Sequence, residues 1–349
     1  MRPRVALVTP FASPSVRGNA ITVERIARGL RRRGVALEVW DASRASDTAV
    51  TREVEAFRPT LVHAFHAFRV GPLALRLARR LEVPLVVTLT GTDANEDLFD
   101  PSRAPVVRRV LEGAATLVAF HASLVQRVCA ALPDVAARFT VVAQAVSLPA
   151  AEPFDVPDDW APPGARVLFA FPAGIRPVKR PRLPLRPFDR LAARRPEVRL
   201  LYAGPVLDDA EGAALAAALR TRPWARHVGA VPHARMASLL TQSDVVLNCS
   251  MSEGGMANSV LEAFAMGRAV LASDIAGNRS LVEPGVTGLL FSDERALEEG
   301  AERLAADAGL RARLGSAGRE LVCRGGHGPE DEIDGYLRVY RRLIPVPAA

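Results

Sequence analysis

At 349 residues the chain exceeds what one hydrophobic core usually organises, so two domains with a cleft between them are expected. Apolar residues make up 49% and charged residues 24%, which excludes a disordered chain. The formal charge of +7 is spread over scattered arginines with no basic stripe and no zinc-finger spacing, so it makes no case for nucleic acid; a phosphorylated substrate or an anionic lipid surface would suit it equally.

In chain order, "RVALVTP" reads as a buried parallel strand. It breaks at Pro10, which argues against a signal peptide. A loop, "FASPSVRGN", an amphipathic helix, "AITVERIARGLRRRG", and a second strand, "VALEVWD", follow, and this is how a doubly wound α/β domain begins. The alternation continues through a helix near 48–57, "TLVHAF", "GPLALRLARRLE", "PLVVTLTG", "APVVRRVLEGA", "TLVAF", "ASLVQRVCAAL" and "RFTVVAQ". It stops at the proline-rich, acidic stretch "PAAEPFDVPDDWAPPGA", which reads as the linker. A second alternation then runs from "RVLFAFPAG" through a helix near 183–194, "VRLLYAG", "EGAALAAALRTR", "HVGAVP", "ARMASLLTQS", "DVVLNCS", "SVLEAFAMG", "AVLASDI" and "VTGLLF" to closing helices. The expected division is 1–150, 151–328, and a last helix within 329–349 that crosses back to the first domain. Cys129, Cys249 and Cys323 form no CxxC pair, which fits a reducing cytoplasm, and apolar runs stop short of the roughly 20 residues of a membrane helix. Peripheral attachment at the inner face of a membrane is left open.

The segment "DVVLNCSMSEGGMANSVLEAFAMG" carries the strongest chemical signal. A strand leads into glycines and then a helix near Asn258 or Ser259, so the backbone amides of Gly254, Gly255, Met256, Ala257, Asn258 and Ser259 are candidates to cradle a diphosphate. Glu262, one turn into the helix, could accept from ribose hydroxyls, and Glu253 could reach a sugar hydroxyl or a developing cation. The alternative makes Ser252 and Asn258 caps and Glu262 a solvated residue. "AGIRPVKRP" supplies Arg176 and Lys179 on another strand-to-helix loop, suited to a leaving phosphate.

In the first domain Gly18 and Asn19 stand at a helix start and, with Asp93, are candidates for donor binding; without GxGxxG the case for a nicotinamide cofactor is weak. His63 and His66 end one strand; His63 reads as structural and His66, further out, as the candidate. Thr92 and Asp93 end another strand and either face the cleft or cap the next helix. No HExxH, GxSxG, P-loop lysine motif or DxD occurs, so neither a metal nor a cofactor is expected.

On "GIRPVK", "SEGGMANSVLEA" and "GNRSLVEPGVTGLLF" the chain resembles the retaining, metal-independent glycosyltransferases of the GT-B fold, family 4 in particular, over essentially its full length. "GNAITVERI" and "GTDANED" add a likeness to short members, the animal glycosyltransferase 1 domain-containing proteins, and "TLTGTD" with "EGG" one to selenosugar synthases. The resemblance implies two Rossmann-like domains, a nucleoside-diphosphate-sugar donor with UDP favoured, and an acceptor held by the first domain. It implies Glu262 on the ribose, Glu253 on the sugar, Arg176 and Lys179 on the diphosphate, and His66 near donor sugar and acceptor. Two spacings depart from the family: eight residues separate Glu253 from Glu262 where seven are usual, and only Pro177 and Val178 separate Arg176 from Lys179. Thr90 stands where a histidine is frequent. The alternatives are a small oxyanion acceptor, as in phosphorylases or selenosugar synthases, and a non-catalytic nucleotide-sugar-binding protein.

Overall fold

The structure is a computed structural model that describes residues 3–13, 18–148, 152–156, 160, 166–253 and 255–344. It divides into two compact units, Met1–Ala145 with Gly326–Ala349, and Val146–Gly325.

In the first unit the elements are β1 (Arg4–Thr9), α1 (Gly18–Arg32), β2 (Ala36–Asp41), α2 (Asp47–Phe57), β3 (Leu61–Phe65), α3 (Gly71–Arg80), β4 (Leu85–Thr88), α4 (Ala104–Gly113), β5 (Thr116–Ala119), α5 (Ala122–Ala131) and β6 (Phe139–Val141). The strands form one parallel sheet in the order β2-β1-β3-β4-β5-β6. Apolar runs such as Leu85–Val87 of β4 are buried at every residue because helices cover both faces. One face packs on α2 to α5, through Val54, Leu77, Val110 and Val128 among others.

The other face packs on α1 and on the helix that closes the chain, numbered α13 below (Pro329–Leu343). Gly29 of α1 lets Ile333 approach to where a Cβ would stand, 2.5 Å from its side chain. Arg25 donates to both oxygens of the fully buried Glu332 at 2.8 and 2.9 Å, and the Ala145 amide donates to one of them at 3.2 Å.

The second unit contains β7 (Val167–Phe171), α6 (Leu185–Arg194), β8 (Val198–Tyr202), α7 (Asp209–Leu219), β9 (Ala225–His227), α8 (His233–Thr241), β10 (Val245–Asn248), α9 (Asn258–Ala265), β11 (Ala269–Ser273), α10 (Ala276–Arg279), β12 (Leu289–Phe291), α11 (Glu294–Ala306) and α12 (Ala308–Arg324). Its parallel sheet runs β12-β11-β10-β7-β8-β9. "HVGAVP" differs from its expected strand: the strand is Ala225–His227, and Gly229, at φ 74°, turns the chain out of the sheet.

The strand order of each sheet reverses once, between β1 and β3 in the first and between β7 and β10 in the second. In doubly wound sheets ligands bind beyond the carboxyl ends of the strands at such a point. The segments that follow β1, β3, β7 and β10 carry Asn19, His66, Lys179 and Glu253 respectively.

Candidate functional site

In the second unit β7 leads into the exposed Arg176, then a short turn, Pro177–Lys179. Two hydrogen bonds stitch this loop to the one after β10: the Met251 amide donates to Val178 O at 2.8 Å, and the Arg180 side chain donates through Nε to Cys249 O at 2.7 Å. Lys179 Nζ is thereby brought onto Glu253 Oε1 in a largely buried ion pair. The same carboxylate oxygen accepts from Ser250 Oγ at 2.6 Å and Asn248 Nδ2 at 3.2 Å. Burial pushes the Glu253 carboxyl up, but the Lys179 ammonium and these hydrogen bonds outweigh it and hold the group below its ordinary value. It is a fixed negative charge at neutral pH.

Gly255, Met256 and Ala257 carry the chain into α9, and the residue before the first helical turn is Ala257, without a side-chain cap. The N-cap position of α9 is therefore held by neither Ser252 nor Asn258. Asn258 opens the helix, and Ser259 accepts from Asn248 Nδ2 at 3.2 Å. Glu262 is buried on α9 and not solvated, and His233 Nε2 lies 3.3 Å from its Oε1. Gly254 lies outside the described residues.

In the first unit His66 follows β3 with φ 101°, a conformation glycine favours and a bulky residue holds only under constraint. The constraint is visible. Its amide donates to Thr88 O at 3.0 Å and the Arg69 amide donates to its Nδ1 at 3.2 Å, so the ring proton sits on Nε2, which donates to Thr92 Oγ1 at 2.9 Å. Asp93 is fully buried, and its carboxylate accepts from the amides of Ala67, Thr90, Gly91 and Ala94 at 2.7 to 3.3 Å. It clamps the β3 and β4 ends together and thereby seats His66. Asn19 lies in the first turn of α1 beside Gly18, with its Oδ1 buried and unpartnered among the described residues. His63 is structural, as expected: it is fully buried between Tyr340 and Thr88.

Sequence reasoning missed Asn248, Ser250 and His233. A polar residue ending the apolar run "DVVLN" is a signal for the first; nothing local marks the other two. Among the described residues no set of three His, Cys, Asp or Glu side chains converges as a metal site, and no helix is long and apolar enough to cross a membrane.

Residues 166–307 match the family model described as glycosyl transferases group 1. The chain is 26% identical over 334 residues to glycosyltransferase 1 domain-containing protein 1 of Xenopus tropicalis, covering 93% of this chain and 94% of that protein. Among solved structures, Anabaena Alr3699/HepE in complex with UDP-glucose superposes with a TM-score of 0.80 at 16% identity, over 97% of this chain and all of the other. Sucrose-phosphate synthase from Thermosynechococcus elongatus does so at 0.78 and 18% identity, over 98% of this chain and 99% of that one. The second unit is thus a glycosyl transferases group 1 domain, and the chain is a glycosyltransferase of the GT-B fold.

Proposed function

We propose that the enzyme moves a hexose-type sugar from a nucleoside diphosphate, UDP in first place, to an acceptor held by the first unit, with retention at the anomeric carbon and without a metal. The observation that carries this reading is the Lys179–Glu253 pair at the second sheet's switch point, beside the amides that open α9. The structural likeness to a protein solved with UDP-glucose supports the donor class.

As the bond from the anomeric carbon to the diphosphate oxygen breaks, its electrons pass to that oxygen. Negative charge grows where Arg176, Lys179 and the α9 amides can meet it. The ammonium of Lys179 has three donors, of which Glu253 engages one, so pairing with the carboxylate also aims the cation. Departure and attack on the same face would give retention. Glu253 binds a sugar hydroxyl, Glu262 the ribose, and His66, seated by Asp93, orients sugar or acceptor. We place the enzyme in the cytoplasm, with peripheral attachment to the inner membrane face allowed by its basic surface.

The test is a thermal-shift panel of UDP, GDP and ADP with their common sugars, EDTA present, followed by turnover assays in the same buffer. A rise selective for one nucleotide, and turnover that EDTA leaves intact, are expected. No shift at millimolar ligand sinks the donor site, and turnover that returns only with added metal sinks the metal-free reading.

A further inference from the structure

We infer that Asn278, on the short helix α10, is a positioning residue for the Glu253 carboxylate, acting through Asn248 and through the serines of the β10 and β11 ends. The inference rests on the reading of Glu253 as a donor-site residue.

Asn278 is completely buried. Its Nδ2 donates to Ser273 O at 2.9 Å and lies 3.2 Å from Ser273 Oγ and 3.3 Å from Asn248 Oδ1. These contacts fix the amide orientation, because the reverse would set its oxygen against two carbonyl oxygens. Its own Oδ1 is left buried and unpartnered among the described residues. An apolar side chain of the same size would avoid that penalty, so filling space does not account for an asparagine here.

What the amide does is reach Glu253 by two routes. In one, it holds Asn248 Oδ1, which also accepts the Ser250 amide at 3.0 Å, so that Asn248 Nδ2 faces Glu253 Oε1 and Ser259 Oγ. In the other, it holds Ser273, whose hydroxyl donates to Ser250 O at 2.6 Å, and the Ser250 hydroxyl donates to Glu253 Oε1 at 2.6 Å. The two routes converge on one carboxylate oxygen, the one that meets Lys179. In such a chain each bond polarises the next. The neighbouring residue presses on the same loop: a Cβ on Gly277 would stand 2.7 Å from Glu253 Cβ and 3.0 Å from the carbonyl oxygens of Glu253 and Gly255. The segment after β11 is the back wall of the acidic loop.

The experiment is a double-mutant cycle of Asn278→Ala with Glu253→Gln, read as kcat and as nucleotide diphosphate affinity, together with a carbon-13 titration of the Glu253 carboxyl. Asn278→Ala should lower kcat about 10-fold while the diphosphate affinity changes less than about 2-fold, and the kcat effect should nearly vanish in the Glu253→Gln background. The Glu253 midpoint should rise as its donors loosen. Equal losses in both backgrounds, or no loss in either, overturn the inference, as does an unmoved midpoint. Should Asn278→Ala melt below the assay temperature, Asn278→Ser enters the same cycle with the same two outcomes. A midpoint that moves in a protein that turns over no nucleotide sugar would keep the positioning role and sink the functional reading instead.

Discussion

His63 has both ring nitrogens engaged in a fully buried place, to Tyr340 Oη at 2.7 Å and Thr88 Oγ1 at 2.8 Å, and burial lowers its pKa from 6.5 to about 3. Between those values the unfolded chain binds a proton that the folded protein refuses. Stability from this residue is therefore complete above about pH 6.5 and falls as the pH drops towards 3, by up to about 1.4 kcal/mol per pH unit. Urea midpoints of wild type and His63→Gln between pH 7 and 4 should show the shallower slope in the variant; parallel slopes would remove His63 as the source. Lys179 makes the opposite case under the proposed mechanism, a charge held by Glu253 to meet the leaving diphosphate. Lys179→Ala should lower kcat by about 100-fold or more with the fold intact, and a wild-type rate would reduce it to a structural cation.

At the level of elements, α12 lies on α9 by way of two glycines one turn apart. A Cβ on Gly315 would stand 2.1 Å from Gly267 O, a backbone atom with no room to move, and one on Gly318 would stand 2.3 Å from the Phe264 ring. Gly315→Ala should cost about 1–3 kcal/mol in a denaturant melt, and because α9 carries Glu262 the nucleotide affinity should fall with it. Retained affinity at reduced stability would separate α9's packing from its binding role. Most strands of both sheets, though not Ala225–His227, were legible in the sequence because parallel strands covered on both faces read as largely apolar runs, as "LVVT" and "VLFAF" do. The loop between Glu253 and Glu262 was legible for a local reason: glycines, a strand before and a helix after lie within twenty residues. Asn278 was not, because its contact with Asn248 exists only once β11 has docked beside β10 thirty residues away. The burial of Glu262 was equally hidden, since α12 and α8, which pack on α9, are elements apart in sequence.

For the whole molecule the telling feature is that the first unit is discontinuous, built from Met1–Ala145 and completed by Gly326–Ala349. Ile333, Tyr336, Leu337, Val339 and Tyr340 of α13 are buried in one cluster with Val5, Leu7, Val23 and Ile26. At roughly 1.5–3 kcal/mol for each buried side chain, as an upper estimate, α13 supplies as much as a domain's entire net stability. A chain ending at residue 325 should keep slow amide exchange in β7 to β12 and lose it in β1 to β6; protection retained in both sheets would show that the first unit closes without its last helix. The order of synthesis gives this a cost in time. On the ribosome Val146–Gly325 can close as soon as it emerges, whereas the first unit, made earlier, waits for α13 through roughly ten to forty seconds of translation at ordinary rates. During that interval the apolar face that α13 will cover is open to other nascent chains, so slowing elongation should raise aggregation and chaperone capture of the first unit before the second.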